Sequence, residues 1–211
     1  MEDSNKKMKK AILLLSGGFD SVVAGYLMKE KLDIIAVHFH QVPLTDEKEL
    51  DKVKELVKKL GVKKVYLVPF ANVLKELVNK CQHKNYFILQ KIAMFQAAEM
   101  VAEKEGAKFL ITGENLAQVS SQTLSNLEVI SSQLSLEILR PLLTYDKQEI
   151  IEIAKEIETY EISKGPEICC LLGPKHPATR SKQENIELEL KKLDLKTLQE
   201  ESLNKAEVLE L

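Results

Sequence analysis

The stretch that decides the fold is Ala11-Ile12-Leu13-Leu14-Leu15-Ser16-Gly17-Gly18-Phe19-Asp20-Ser21-Val22-Val23-Ala24. It joins an apolar run, typical of a buried strand, to a pair of glycines and then to a stretch that favours helix. Backbone N–H groups at the start of a helix lack intrahelical partners, and the helix dipole adds partial positive charge there. Because phosphate groups bind at such helix starts, the stretch predicts a cradle for the pyrophosphate of a nucleotide.

The residues of the turn have the chemistry that such a cradle needs. Gly17 and Gly18 let the backbone approach an anion closely, and the hydroxyls of Ser16 and Ser21 can donate hydrogen bonds. Asp20 can hold a magnesium ion or its waters. The alternative is an ordinary strand-to-helix turn with a Ser or Asp cap, which needs neither the doubled glycine nor a serine on both sides.

The pattern Ser-Gly-Gly-x-Asp-Ser at residues 16–21 resembles the PP-loop of the N-type ATP pyrophosphatases. Enzymes of that superfamily use ATP to adenylate a carbonyl oxygen and release pyrophosphate. Two other phosphate motifs, Gly-x-x-x-x-Gly-Lys-Ser/Thr and a Gly-x-Gly-x-x-Gly after the strand, do not occur. The resemblance implies ATP and Mg²⁺ as cofactors.

Composition is that of one α/β domain. The chain has 211 residues, of which 45% are hydrophobic and 29% charged. No apolar run nears the roughly 18 residues of a membrane span, and no signal-peptide pattern opens the chain, so we expect a cytoplasmic protein. The cysteines are Cys81, Cys169 and Cys170, an odd number that favours reactive thiols over a disulfide framework.

Apolar runs alternate with amphipathic helical patterns along the chain. This alternation predicts a doubly wound parallel sheet with strands over 11–15, 34–39, 64–68, 108–112 and 136–139. Two of the helical patterns end at Gly61 and Gly106. We assign residues 1–180 to the nucleotide-binding domain and 181–211 to a charged helical extension that packs on it or on a second subunit.

Candidate site residues follow the predicted strands, because ligands of such sheets bind beyond the carboxyl ends of the strands. The end of the second strand is Val37-His38-Phe39-His40, where a nucleotide base, ordinary strand-end packing or a two-histidine metal site are the alternatives. The loop over residues 112–127 is dense in amides and hydroxyls that can bind a base or a ribose.

Two further candidates lie later in the chain. Lys147 stands at a helix start, where a cation opposes the helix dipole unless an anion binds nearby. Cys169 and Cys170 lie in a Gly/Pro-rich loop with Lys175 and His176 close by, a setting that favours exposed thiolates, although an inert buried pair is the alternative.

Together these motifs resemble one family, the catalytic domain of ThiI, the tRNA 4-thiouridine synthetase or tRNA sulfurtransferase. The resemblance rests on residues 16–21, 37–40, 112–115, 118–124, 140–142, 145–147 and 166–170, in that order. It implies the adenine nucleotide alpha hydrolase-like fold and two chemical steps. A uridine carbonyl of tRNA is activated as an adenylate, and its oxygen is then replaced by sulfur from a cysteine persulfide.

The resemblance also implies a set of residue roles. Asp20 holds the metal and Lys147 assists adenylation, and His38 with Phe39 holds adenine. The sulfur carrier aligns with Cys169 or Cys170, of which we favour Cys169. The full set of implied ATP contacts is Leu14, Leu15, Ser16, Gly17, Gly18, Ser21, His38, Phe39, Lys91, Gly113 and Gln122.

The expected partners come from the same resemblance. Family members carry ferredoxin-like and THUMP segments that dock tRNA, and some carry a rhodanese domain that delivers sulfur. With a net charge of −2 and no such segments here, we expect a separate THUMP-type or other RNA-binding protein, or a homodimer through residues 181–211. A cysteine desulfurase or another donor would supply sulfur. An ammonia-using ligase and a non-enzymatic adenine-nucleotide-binding module are the competing functions.

Overall fold

One six-stranded sheet with helices on both faces forms the fold. The computed structural model describes residues 8–116, 118–164 and 172–211. The strands are β1 (Lys10–Leu14), β2 (Asp33–His40), β3 (Lys64–Pro69), β4 (Phe109–Ile111), β5 (Glu137–Leu139) and β6 (Glu207–Glu210). The first five lie at the predicted positions, within one or two residues at their ends, and pair in parallel.

The helices connect and cover these strands. They are α1 (Phe19–Met28), α2 (Lys48–Leu60), α3 (Ala71–Lys80), α4 (Tyr86–Glu105), α5 (Leu124–Ser132), α6 (Lys147–Glu156), α7 (Tyr160–Ser163), α8 (Gln183–Leu190) and α9 (Leu195–Asn204). Gly61 and Gly106 end α2 and α4 in the left-handed conformation, with φ of 71° and 70°. The predicted helix stops are therefore confirmed.

The core has two halves, one on each face of the sheet, because successive side chains of a strand point to opposite faces. Ile12, Ile35 and Val37 pack against α3, α4, α5, α8 and α9. Leu13 and Ala36 pack against α1, α2 and α6 on the other face. Short continuous apolar strands are what a parallel sheet buried on both faces requires.

Chain order reverses at β1. The spatial order is β5-β4-β1-β2-β3-β6, so the chain builds outward from β1 to β3, crosses back and continues with β4 on the other side. Connections leave β1 and β4 in opposite directions, which opens a crevice beyond their carboxyl ends. The turn at residues 15–18 and the loop after Ile111 border that crevice.

The C-terminal segment differs from its prediction, because residues 207–210 form a strand rather than helix. β6 pairs antiparallel with β3, which makes the sheet mixed rather than fully parallel. Leu209 packs against the core, and Lys64 Nζ lies 3.6 Å from a Glu210 carboxylate oxygen. Pairing with an otherwise open edge outweighs the weak local preference of a glutamate-rich segment.

The helices that precede β6 pack on their own chain. Gln199 Nε2 donates to the Ala93 carbonyl at 2.8 Å, and the Glu189 carboxylate accepts from the Gln82 N–H at 2.9 Å. A homodimer through residues 181–211 stays a prediction. None of the helices in the described ranges combines the length and apolar character needed to cross a membrane.

Candidate nucleotide-binding site

The turn between β1 and α1 is closed by its own serines. Ser21 Oγ donates to the Gly18 carbonyl at 2.9 Å and accepts from the Ser16 N–H at 3.1 Å. Gly17 has φ of 83°, a conformation that costs a residue with a side chain but not glycine. Gly18 is the N-cap of α1 and has no side chain to accept from the N–H groups of the first turn. These N–H groups are therefore oriented for an external anion.

His38 is hydrogen-bonded to the start of this turn. Its Nδ1 lies 2.7 Å from the Leu15 carbonyl, and because a carbonyl only accepts, Nδ1 carries the proton. Burial lowers the pKa of His38 to about 4, against the opposing effect of that hydrogen bond. The imidazole is therefore neutral near pH 7, and its Nε2, 3.8 Å from Glu49 Oε1, forms no ion pair.

Phe39 points to the opposite face of β2 from His38. Its ring lies 4.7 Å from the ring of Phe70, centroid to centroid, and packs on the α3 and α4 side of the core. The two residues thus share the carboxyl end of β2 but not a face. Their predicted joint contact with adenine stays a prediction.

Gly113 brings the loop after β4 onto the first turn of α1. A Cβ at position 113 would lie 2.5 Å from the Ser21 backbone nitrogen and 2.6 Å from the Asp20 carbonyl carbon. Only a residue without a side chain permits this approach. The predicted site residues Ser21, Asp20 and Gly113 are therefore brought together at the crevice beside β1.

Glu114, the residue after Gly113, forms a buried cluster of charges with Lys91 and Arg140. Glu114 is 4% exposed and accepts from Lys91 Nζ at 2.7 Å and from Arg140 Nε at 2.8 Å. Burial acts to raise the pKa of Glu114, but the charges of Lys91 and Arg140 outweigh it and hold the pKa below its ordinary value. Glu114 is thus ionised and leaves the cluster one net positive charge.

Asn115 connects this loop to the start of α6. Its Nδ2 donates to the carbonyls of Leu142 at 2.9 Å and Tyr145 at 2.6 Å. Asp146 caps α6 in a capping box, so Lys147, exposed at the first helical position, is held at a defined place relative to the loop. Three consecutive residues, 113–115, therefore link the turn after β1, the charge cluster and Lys147.

Asn126 connects the same loop to the segment that follows the cysteines. This residue is fully buried, and its Nδ2 donates to the carbonyls of Ser120 and Ala178 while its Oδ1 accepts from the Ser181 N–H. Thr123 Oγ1 donates to the Thr179 carbonyl at 2.7 Å. The predicted ATP contact Gln122 lies between the hydrogen-bonded residues Ser120 and Thr123 and is half-buried in a short 3-10 helix.

The chain after residue 171 is also held by α4 and the turn before it. The Ala178 N–H donates to the Lys84 carbonyl at 2.8 Å, and a Cβ on Gly173 would lie 2.2 Å from the Phe87 ring. The two predicted sulfur carriers, Cys169 and Cys170, lie outside the described residues. Their expected role stays a prediction.

Some participants were not singled out by the sequence analysis. Arg140 and Glu114 stood in the quoted motifs without a role, and Asn126 was one amide among many. The available signal for Glu114 was a charged residue placed directly after a buried strand, which demands a partner of opposite charge. Its partners Lys91 and Arg140 are distant in sequence, so their identity needed the tertiary structure.

Asp20 is the residue predicted to hold a magnesium ion bound to phosphate. It is the second residue of α1 and is half-buried, and its backbone carbonyl group lies next to Gly113. Across the described ranges no three His, Cys, Asp or Glu side chains gather as a metal site. Magnesium commonly takes one or two carboxylates together with substrate phosphates and water, so the residue fits that mode. The metal role of Asp20 stays a prediction.

The family and the sequence relatives that match this chain agree with one another. The family model described as thiamine biosynthesis protein (ThiI) matches residues 7–195. A probable tRNA sulfurtransferase of Moorella thermoacetica is 42% identical over 207 residues, covering 95% of this chain and 53% of that protein. Another from a Thermoanaerobacter species is 45% identical over 184 residues, covering 84% of this chain and 48% of the relative. The chain spans about half the length of these curated relatives.

Solved structures agree with this result. A crystal structure of a 4-thiouridine synthetase–RNA complex with bound ATP superposes with a TM-score of 0.87 at 39% identity, over 95% of this chain and 54% of that one. An NH3-dependent NAD synthetase of Campylobacter jejuni superposes with a TM-score of 0.57 at 17% identity, over 95% and 86% of the two chains. The latter likeness shows the PP-loop ATP pyrophosphatase type of fold alone. By its sequence and its fold, the chain belongs to the ThiI family.

Proposed function

We propose that this chain is the catalytic part of an ATP-dependent tRNA sulfurtransferase that makes 4-thiouridine. The carrying observation is the contact of Gly113 with the first turn of α1, which joins the anion-binding turn and the loop after β4 into one crevice. The relative that superposes best among those described above was crystallised with ATP and RNA, which supports both ligands for this site. The assignment gives catalysis to residues 1–180, with residues 181–211 as support.

ATP would bind with its phosphates on residues 16–21. The uncapped N–H groups of α1 and the hydroxyl of Ser16 would contact phosphate oxygens. Leu14, Leu15 and the end of β2 would border adenine, and Gly113 and Gln122 the nucleoside. Mg²⁺, held by Asp20 and the phosphates, would neutralise negative charge on the triphosphate.

Adenylation would follow by displacement at the α-phosphorus. The O4 atom of uridine forms a bond to that phosphorus, the bond to the bridging oxygen of the β-phosphate breaks, and pyrophosphate leaves with the electron pair. The N3 proton of the base is released, which keeps the activated base neutral. Lys147, fixed at the start of α6, would stabilise the negative charge that develops on the transferred phosphate.

Sulfur transfer would use the cysteines of residues 169–170. A terminal persulfide sulfur attacks C4 of the activated uridine, and AMP leaves with the C4–oxygen bond electrons. The product and the carrier are then joined through a sulfur–sulfur bond. A second thiol cleaves that bond to free 4-thiouridine and forms a disulfide, which a reductant must reopen before the next cycle.

Two partners complete this proposal. A net charge of −2 provides little counterion release on its own, so a THUMP-type or other RNA-binding surface would hold tRNA. A cysteine desulfurase or another sulfur donor would load the persulfide. Action in the cytoplasm, where both tRNA and such donors are found, fits this scheme.

The test measures both steps with tRNA, ATP and a sulfur donor. The wild-type chain should form AMP and thiolated tRNA when a THUMP-type protein is added. The double variant Cys169→Ser/Cys170→Ser should still form AMP but no thiolated tRNA, and Cys81→Ser, which removes a thiol elsewhere, should behave like wild type. Pyrophosphate release that needs a small carboxylate or carbonyl substrate with ammonia, and not tRNA, would replace the proposal with a ligase. ATP binding without turnover would replace it with a binding module.

A further inference from the structure

A lysine that lies outside all the motifs described above stands beside the turn after β1. Lys52 is in the second turn of α2, next to Val53, which is buried in the core. A Cβ placed on Gly17 would lie 3.8 Å from Lys52 Cε and 3.6 Å from Val53 Cγ2. Cε carries the ammonium group, so the positive charge of Lys52 lies at the edge of the anion-binding turn.

The packing of α2 against the sheet determines the direction in which Lys52 leaves the helix. Val53, Leu56, Val57 and Leu60 bury one side of α2 against the sheet, which sets the rotation of the helix about its axis. Lys52 is half-buried, and its Cε lies 3.8 Å from the point that a Cβ on Gly17 would occupy. Its charge also helps to lower the pKa of His38, after the larger effect of burial, which places the ammonium on the same side as His38.

No carboxylate of a described residue lies within ion-pair distance of Lys52, although Glu49 and Glu55 stand one helical turn away on either side of it. Lys91, by contrast, has its Nζ 2.7 Å from Glu114. Glu49, one turn earlier on α2, accepts from Thr45 Oγ1 and lies near His38 Nε2 instead. A phosphate group bound at the turn would supply the negative charge that this lysine can pair with.

We infer that Lys52 binds the β- and γ-phosphates of ATP and stabilises the pyrophosphate as it leaves. This inference rests on the proposed function, because it takes ATP as the ligand of the turn. Residues 16–21 are the proposed seat of the phosphates, and Lys52 Cε lies beside Gly17 of that turn, so its ammonium group can reach phosphate oxygens bound there. When the bond from the α-phosphorus to the bridging oxygen breaks, the electron pair stays on pyrophosphate, and a fixed ammonium group stabilises that charge.

The test compares ligands that contain or lack the outer phosphates. Binding of Mg·ATP, inorganic pyrophosphate and AMP to the 211-residue chain is measured by titration calorimetry for wild type, Lys52→Met and Lys52→Arg. Lys58→Met is the control, because it removes the same charge from the exposed end of the same helix. We expect Lys52→Met to weaken ATP and pyrophosphate binding about tenfold or more, with AMP binding unchanged. Lys52→Arg should recover most of the affinity.

Each other outcome overturns the inference in a recognisable way. Equal ATP and pyrophosphate affinities in Lys52→Met and wild type would remove Lys52 from the phosphate site while leaving the proposed function intact. An equal loss of AMP binding would show a general effect on the fold of the turn rather than a phosphate contact. Wild-type protein that binds no ATP at all would overturn the proposed function itself, and the role of Lys52 with it.

Discussion

The backbone nitrogen of Ser21 lies so close to Gly113 that a Cβ on residue 113 would approach it to 2.5 Å. The atoms that this Cβ would meet, the Ser21 nitrogen and the Asp20 carbonyl carbon, belong to the backbone of α1 and cannot rotate away as a flexible side chain would. The turn after β1 and the loop after β4 therefore hold one fixed separation. This separation sets the width of the crevice in which we place the nucleotide.

Replacement of Gly113 by alanine should open that crevice. We expect Gly113→Ala to lower the free energy of unfolding by about 1–3 kcal/mol, because the added methyl group forces the loop off α1. ATP affinity should fall as well. Gly106→Ala is the control: it has no neighbour within 4 Å of its Cβ and pays only for its φ of 70°. Denaturant unfolding and ATP titration measure the two effects, and unchanged ATP affinity in Gly113→Ala would contradict the placement of the nucleotide.

Glu114 should stabilise the protein through its two cations. Glu114→Gln leaves Lys91 and Arg140 without a counterion, and we expect a loss of about 3–5 kcal/mol in the free energy of unfolding at pH 7. Glu161→Gln, which removes a carboxylate 78% exposed in its side chain, should change stability by less than about 0.5 kcal/mol.

The pH dependence of the same variant gives a second check. The pKa of Glu114 in the folded chain lies below its ordinary value of 4.5, so the folded state keeps the carboxylate ionised where the unfolded chain has begun to protonate. Its stabilisation is complete above that ordinary value and is lost as the pH falls through the folded pKa. Glu114→Gln should lack this part of the acid sensitivity. A wild-type stability that falls no more steeply than that of the variant below pH 4.5 would contradict the assignment.

His38 should make the fold sensitive to mild acid. The unfolded chain binds a proton at this side chain near pH 6.5, whereas burial delays protonation in the folded chain to about pH 4. Stability should therefore fall by about 1.4 kcal/mol for each pH unit between these values. His38→Asn, whose amide can still donate to the Leu15 carbonyl, should remove the His38 part of that slope, while His40, whose pKa burial also lowers, keeps its own part. His176→Asn, at an exposed position, is the control and should retain the whole slope.

Asn126 should matter more for sulfur transfer than for ATP binding. Asn126→Ala removes hydrogen bonds to Ala178 and Ser181, which hold the chain that follows the cysteines. We expect a loss of about 1–3 kcal/mol in unfolding free energy and a larger decrease in tRNA thiolation than in AMP formation. Asn185→Ala, on the exposed side of α8, should affect neither step. Equal decreases in both steps would show that Asn126 supports the fold without positioning the cysteine segment.

Local patterns determined much of this protein. The apolar runs predicted five parallel strands because a strand buried on both faces leaves little choice of residue, and Gly61 and Gly106 marked helix ends because glycine adopts positive φ at low cost. The Ser-Gly-Gly-x-Asp-Ser turn indicated an anion site for a similarly local reason. Strand, turn and helix start follow one another within a few residues, so their geometry is set before any distant contact forms.

Tertiary structure decided what residues distant in sequence do to one another. Residues 207–210 became a strand because β3 offered an open edge, a fact absent from their own composition. Glu114 pairs with Lys91 and Arg140 because α4 and β5 pack beside β1 and β4. Lys52 lies next to Gly17 because α2 packs beside β1. Ion pairs and close approaches act over a few ångströms through space, so their partners depend on packing and not on spacing along the chain.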